Sequence, residues 1–268
     1  MDYGQGPRSG TWQSPAGRMK SFYLDRPLNF AHQGACYEAP ANTLAAFLLA
    51  VELGADGIEF DVHLSSDGEV VVIHDFTVDA TTDGQGPVRD KPLSALKRLD
   101  AGSWFDPAFS GERIPTLGEV IDLVGQRLLL NIELKTQSLR GEGLAEAVVR
   151  IVEENHLLER VVISSFNPLS LWQVRRLNPS IPIGLLYAPD LPLFLRRPWF
   201  RYLLQPEALH PSYTMVDDDY MRWARRQGYR VHTWTVDEPG EMWQLVQRDV
   251  DLIITNRPDL LTEVLQAG

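Results

Sequence analysis

Glu59 and Asp61 stand two residues apart in the stretch GIEFDVHLSSDGEVVVIHD, which His74 and Asp75 close. Side chains of a strand alternate between faces, so a spacing of two puts both carboxylates on one face. Asp67-Gly68 predicts a hairpin with a type I′ turn, whose central residues need positive φ. Pairing across that turn sets Ser66 opposite Glu69 and Asp61 opposite His74, so two carboxylates and an imidazole share a face. Oxygen ligands beside a titratable ring describe a hard-cation site with a proton carrier next to it. A solvated face with scattered charge is the plainer alternative. Against it, Ile58, Phe60, Val62 and Val71 fill the opposite face as a core does.

Asn131, Glu133 and Lys135 alternate in the same way at the end of another strand. Three carboxylates, Glu59, Asp61 and Glu133, gathered without a cation would repel one another and drive one pKa far up. With Ca²⁺, Mg²⁺ or Mn²⁺ between them they form an ordinary oxygen site. Lys135 either pairs with Glu133 or stabilises charge developing on phosphorus. His32 ends the first strand. A lone histidine is more often a core residue than a catalyst, but two beside a carboxylate cluster suggest an acid and a base.

These residues meet only if distant strands end at one place. A strand at Asn29–Ala31 leads to His32, and a helix capped by Asn42 or Thr43 runs to Gly54. After the hairpin comes a Gly/Pro/Asp-rich segment, residues 76–115, too long for an ordinary loop and read as an inserted subdomain. From Leu117 the chain alternates helix and strand. Strands are expected at Leu128–Leu134, Val161–Ser165, Ile183–Tyr187, Ala208–Pro211, Arg230–Val236 and Leu252–Thr255, and a helix around Phe194–Leu204. With the return arm of the hairpin set aside, eight parallel strands remain. That pattern predicts a TIM (β/α)8 barrel with a small insertion after the second-strand hairpin. His32, Glu59, Asp61, Glu133 and Trp234 then lie where the strands end, at the face where such barrels carry their chemistry. No Gly-rich phosphate turn follows the first strand, which argues against a doubly wound open sheet.

The 268 residues are 44% apolar with a net charge of −11, enough for one large core and unfavourable for general nucleic-acid binding. Cys36 is the single cysteine, so no intrachain disulfide forms. No apolar run reaches the ~20 residues of a membrane span. Residues 1–24 are rich in Gly, Pro, Ser and Gln, lack a signal-peptide core, and are expected to be a disordered tail before a barrel over 25–268. A cytoplasmic location is the expectation. No oligomeric state follows from the sequence.

His32-Gln33-Gly34, Pro40-Ala41-Asn42-Thr43, Gly54-Ala55-Asp56, Glu59-x-Asp61, Asp67-Gly68, His74-Asp75, Ile132-Glu133-x-Lys135 and Trp234-Thr235-Val236 together resemble the glycerophosphodiester phosphodiesterase family. The resemblance runs from about His32 to Pro258. It implies metal-dependent hydrolysis of small-molecule glycerophosphodiesters to sn-glycerol 3-phosphate and an alcohol. It implies Ca²⁺ or Mg²⁺ on Glu59, Asp61 and Glu133, His32 and His74 as general base and acid without fixing which is which, and Lys135 on the phosphate. The substrate's 2-hydroxyl would attack phosphorus and a cyclic phosphate would then be opened by water.

Two positions depart from the family pattern. Gln33 stands where the family has an arginine phosphate ligand, and brings an amide without charge. Ala41 stands where the family has Glu, and Glu38 is the nearby carboxylate that could supplement the metal site. Trp234 and His210 are candidates for the wall of the glycerol or alcohol pocket. Leu191–Leu204, LPLFLRRPWFRYLL, is expected to pack as an outer helix; the alternative is an exposed apolar lip for lipid. That lip would favour a lysophospholipase D acting on lysophospholipids. A phosphodiester-binding protein without turnover ranks below both enzymes, because the histidines and carboxylates are all present.

Overall fold

In the computed structural model, which describes residues 22–136 and 143–267, the barrel begins with β1 (Leu28–His32). Thr43 caps α1 (Leu44–Glu52) by accepting from the Ala46 N–H, and Gly54 at φ +78° turns the chain out of the helix. β2 (Gly57–Leu64) and β3 (Val70–Val72) form the hairpin. Within the segment that follows lie one short α-helix, α2 (Leu93–Leu96), and two 3₁₀ turns at Val88–Asp90 and Pro107–Phe109. α3 (Leu117–Val124) starts with a reciprocal cap, Thr116 to the Glu119 N–H and Glu119 to the Thr116 N–H. Then come β4 (Leu129–Leu134), α4 (Leu144–Glu154), β5 (Val161–Ser165), α5 (Pro168–Leu177), β6 (Ile183–Tyr187) and α6 (Arg201–Leu204). The last units are β7 (Ala208–Pro211), α7 (Asp218–Gln227), β8 (Arg230–Thr233), α8 (Pro239–Gln247), β9 (Leu252–Thr255) and α9 (Pro258–Ala267).

The strands pair in the order β1, β9, β8, β7, β6, β5, β4, β2, and β1 pairs back on β2, so eight parallel strands close into a TIM barrel. Outward residues such as Phe60, Ile132, Ile163 and Leu209 pack under the helices as the main core. Inside, Phe22, Leu28, Phe30, Val162, Leu252 and Ile254 form a separate apolar cluster. Phe22 is buried against Tyr23 and Phe30, while Leu24 is exposed; residues 1–21 of the expected tail lie outside the described residues.

The hairpin differs from expectation by one residue. Leu64 pairs Val70, His63 pairs Val71 and Val62 pairs Val72, while Ser65 N–H donates to Glu69 O. The loop is therefore Ser66-Asp67-Gly68, with only Gly68 at positive φ (+85°), rather than a two-residue turn. Asp61 O accepts from the Ile73 N–H, so Ile73 and not His74 lies opposite Asp61. A one-residue slip exchanges the faces of a strand. Val70 and Val72 join the main core, and Val71 turns to a small third cluster with Ile73, Val78, Val88, Leu96, Ala101 and Ile114. That cluster is the core of the inserted segment.

Two further elements differ. β8 stops at Thr233 rather than Val236. The expected helix over 194–204 is broken into a 3₁₀ turn at Leu193–Leu195 and the short α6, with Pro198 between them.

Candidate active site

His32, Glu59, Asp61, His74, Asn131, Glu133, Lys135, Ser164, Phe166 and Trp234 line one cavity of about 190 Å³ at the ends of the barrel strands. Strand register brings the acids together: Asp61 lies beside Glu133, and Glu59 beside His32 and Asn131. One ligand oxygen from each of Glu59, Asp61 and Glu133 lies within 4.8 Å of the others, and all three residues are buried. Lys135 Nζ sits 3.1 Å from Glu133 Oε1 and 3.3 Å from Asp61 Oδ1.

The charges do not balance. Three carboxylates against one ammonium leave two negative charges in a buried place. Burial, followed by the fields of Asp61 and Glu133, holds the Glu59 carboxyl well above its ordinary pKa. Burial likewise raises Glu133, though Lys135 opposes it. Burial also pushes Asp61 up, but Lys135, His74, His32 and the Asn42 amide outweigh it and leave Asp61 lowered. Burial disfavours the Lys135 ammonium, yet Glu133 and Asp61 raise its pKa overall. Glu59 Oε2 is buried without a hydrogen-bond partner. An orphaned carboxylate oxygen within a three-acid cluster fits a divalent cation, which would cancel the remaining charge.

His32 is held by a chain that fixes its tautomer. The Asp237 carboxylate only accepts, and it takes both the Asn256 N–H at 2.8 Å and Nδ2 at 2.7 Å. Asn256 Oδ1 is thereby turned to His32 Nδ1 at 2.7 Å and to Cys36 Sγ at 2.9 Å. An amide oxygen accepts, so His32 carries its proton on Nδ1, and Nε2 points toward Glu59 Oε2 at 3.8 Å. Burial lowers the His32 pKa, but Cys36, Asn256 and Asp61 more than restore it, leaving it raised.

His74 reaches the cavity by another route than the ladder. β3 has ended at Val72, and Ile73 is anchored in the inserted core, so His74 swings over the mouth. It is half exposed, with Nδ1 2.7 Å from Asp75 Oδ1. Trp234 stands across the cavity, its ring edge-on to Phe166 at 5.5 Å and its Nε1 donating to His210 O at 2.9 Å.

Three expectations are corrected. Gln33 is not among the residues that line this cavity; its Nε2 donates to Asp61 Oδ2 at 3.2 Å, so the amide is engaged with a carboxylate. Glu38 is exposed and outside the acidic cluster. His210 lies fully buried inside the barrel, below the cavity. Sequence reading also left roles unassigned. Asn42, a helix-cap candidate and part of the Pro40–Thr43 motif in the sequence, donates Nδ2 to Asp61 Oδ2 at 3.1 Å. Asn131 and Ser164 face the cavity with buried polar atoms that have no partner. Asn131 was foreshadowed by its spacing of two from Glu133; Ser164 had no signal, because only strand register brings it beside Glu133.

The chain matches the profile of the glycerophosphoryl diester phosphodiesterase family over residues 32–260. It belongs to that family. It is 42% identical over 245 residues to a glycerophosphodiester phosphodiesterase of Caldanaerobacter subterraneus subsp. tengcongensis, covering 91% of this chain and 99% of the relative. A structure of an Oleispira antarctica phosphodiesterase in complex with the product sn-glycerol-3-phosphate is similar at TM-score 0.81 and 31% identity, over 90% of this chain and 97% of that one. A glycerophosphodiester phosphodiesterase from Agrobacterium tumefaciens is similar at TM-score 0.78 and 29% identity, over 88% and 99%. The enzyme is a glycerophosphodiester phosphodiesterase, a phosphoric diester hydrolase, and the cavity described above is the candidate site for that reaction.

Proposed function

We propose that the enzyme cleaves glycerophosphodiesters to sn-glycerol 3-phosphate and an alcohol with a divalent cation held by Glu59, Asp61 and Glu133. His32 and His74 act as the proton carriers. The observation that carries this reading is the buried three-carboxylate cluster with its unbalanced charge, flanked by two imidazoles in one cavity. When bound, the cation supplies charge neutralisation and acidifies the attacking hydroxyl.

His32 is the base of the first step. Its Nδ1 is tied to Asn256, which leaves Nε2 to take the proton from the substrate's 2-hydroxyl. The freed oxygen attacks phosphorus, and the bond to the head-group oxygen breaks. His74, at the solvent-facing rim, gives that oxygen a proton, so the head group leaves as a neutral alcohol. In the second step the roles reverse: His74 takes a proton from water, water's oxygen opens the cyclic phosphate, and His32 returns its proton to the 2-oxygen. Lys135 faces the phosphate oxygens as charge accumulates on them. Trp234 and Phe166 form the apolar wall against the alcohol or glycerol carbons. Gln33 and Asn42 hold the Asp61 carboxylate in place for the cation.

Removal of cations with EDTA is expected to abolish release of sn-glycerol 3-phosphate from glycerophosphocholine, and Mg²⁺ or Ca²⁺ to restore it. Full turnover in chelator would overturn the metal assignment. Comparing the two cations at equal concentration gives the preference, and lysophosphatidylcholine as substrate tests the lysophospholipase D reading at the same site.

A further inference from the structure

The broken segment between β6 and β7 presents an unusual surface. Leu193 is 67% exposed, Phe194 54%, Trp199 48%, Tyr202 52% and Leu203 66%. Among the described residues these are five of the fourteen large apolar side chains that stand exposed, all within eleven positions. Scattered exposed apolar residues are ordinary, whereas a group this dense marks a contact surface. Pro198 is the cause: it interrupts the expected helix, so the apolar residues are not folded under one face against the barrel.

Charge identifies the occupant. Residues 191–206 carry three arginines and no acid, in a chain whose net charge is −11; Asp190 and Glu207 are the acids at its borders, and Glu207 is buried against Arg175. Arg201 folds inward, buried, donating to Pro198 O and stacking 4.1 Å from the Tyr202 ring. Arg196 and Arg197 are exposed, and neither is in an ion pair among the described residues. Arg196 spends Nε on Leu191 O at 2.5 Å, which holds its guanidinium beside the apolar group. α5, which packs against α6, adds exposed Trp172 with Arg176 4.8 Å over its ring. Aromatic and aliphatic side chains interleaved with unpaired guanidinium groups match the interface of an anionic bilayer, where rings sit at headgroup depth and cations meet phosphate. The overall negative charge does not prevent this. Repulsion from acids on the rest of the surface is screened within about 8 Å at physiological salt.

We propose that the Leu193–Leu203 lip docks the enzyme on anionic phospholipid surfaces. Leu186, at the end of β6 just before the lip, lines the catalytic cavity. Docking therefore holds the cavity mouth near the bilayer, where single-chain and deacylated glycerophospholipids arise.

The test is sedimentation of the full chain with vesicles of phosphatidylcholine alone and of phosphatidylcholine with phosphatidylglycerol. Binding is expected only to the second, and to weaken as salt rises. Arg196→Gln and Arg197→Gln should each weaken it about 5-fold. Phe194→Ser combined with Leu203→Ser should weaken it about 10-fold or more. Turnover of glycerophosphocholine in solution by these variants is expected to be unchanged, which shows that they fold. Equal binding to both vesicles, or none to either, overturns the proposal. Self-association without vesicles that the apolar variants abolish also overturns it, and assigns the lip to a second copy of the chain. Vesicle binding is read without turnover, so it fails or succeeds independently of the catalytic assignment.

Discussion

At the scale of single residues, the neighbours of His32 decide which of its ring nitrogens carries the proton. Asp237 fixes the Asn256 amide, Asn256 fixes Nδ1–H, and Nε2 is left to accept. His32→Ala is expected to lower kcat by a factor of ~10²–10⁴, the usual contribution of a positioned base. Asn256→Ala should lower kcat by ~10–100-fold with little change in KM, because the ring loses its anchor and tautomer but stays in the site. If Asn256 acts through His32, the double variant is no worse than His32→Ala alone; additive losses would mean that Asn256 has its own contact with substrate. The carboxylates, Lys135 and His32 were legible beforehand because strand alternation alone determines which residues share a face. Gln33 was not. Its position at φ +54° in the turn after β1 aims its amide at Asp61, and a turn conformation has no period to read.

At the scale of elements, the hairpin and the inserted segment decide where His74 stands. Gly68 meets nothing within 4 Å of an added Cβ, so Gly68→Ala costs only the backbone strain of φ +85°, about 1–2 kcal/mol in a denaturant titration. Leu96 is fully buried in the inserted core that also holds Ile73, the neighbour of His74. Leu96→Ala should loosen that core by ~2–5 kcal/mol. Its effect on catalysis should be selective: kcat falls as His74 loses its placement, while calorimetric cation affinity at Glu59, Asp61 and Glu133 on β2 and β4 is kept. A parallel loss of affinity would show that the insertion supports the whole site. The order of strands and helices was legible from alternation and apolar periodicity. Registers and breaks were less so. Asp67-Gly68 fits either a two-residue or a three-residue loop, and Ser65 tips the balance, because its Oγ donates to Asp67 and accepts from the Glu69 N–H. Across 194–204 the apolar content argues for one helix, but Pro198, which has no N–H to give, interrupts it.

At the scale of the molecule, the barrel interior carries a polar layer between the catalytic cavity and the apolar cluster that contains Phe22. Gly184, His210 and His232 stand on three neighbouring strands, β6, β7 and β8, and their parallel register sets His210 beside His232. His210 and His232 rings lie 4.5 Å apart, and His232 Nε2 meets the Tyr23 hydroxyl at 2.7 Å. Gly184 makes the room, since a Cβ there would lie 2.2 Å from His210 Nε2. Neither ring nitrogen of His210 has a partner, and burial presses its pKa down to about 3. His232 is lowered as well, first by burial and then by His210 and Arg230. An imidazole in the unfolded chain titrates near 6.5, so between that pH and about 3 the unfolded state binds the extra proton. Stability from His210 is therefore complete above pH 6.5 and is lost as pH falls, by about 2 kcal/mol between pH 7 and pH 5. His210→Gln keeps a polar side chain of similar reach that does not titrate. Urea unfolding at both pH values, with and without the substitution, isolates this contribution, because the buried carboxylates titrate alike in the two proteins. The unsubstituted enzyme should lose about 2 kcal/mol more than the variant on acidification. Equal losses would place the acid sensitivity elsewhere and leave His210 with a proton donor or acceptor inside the barrel.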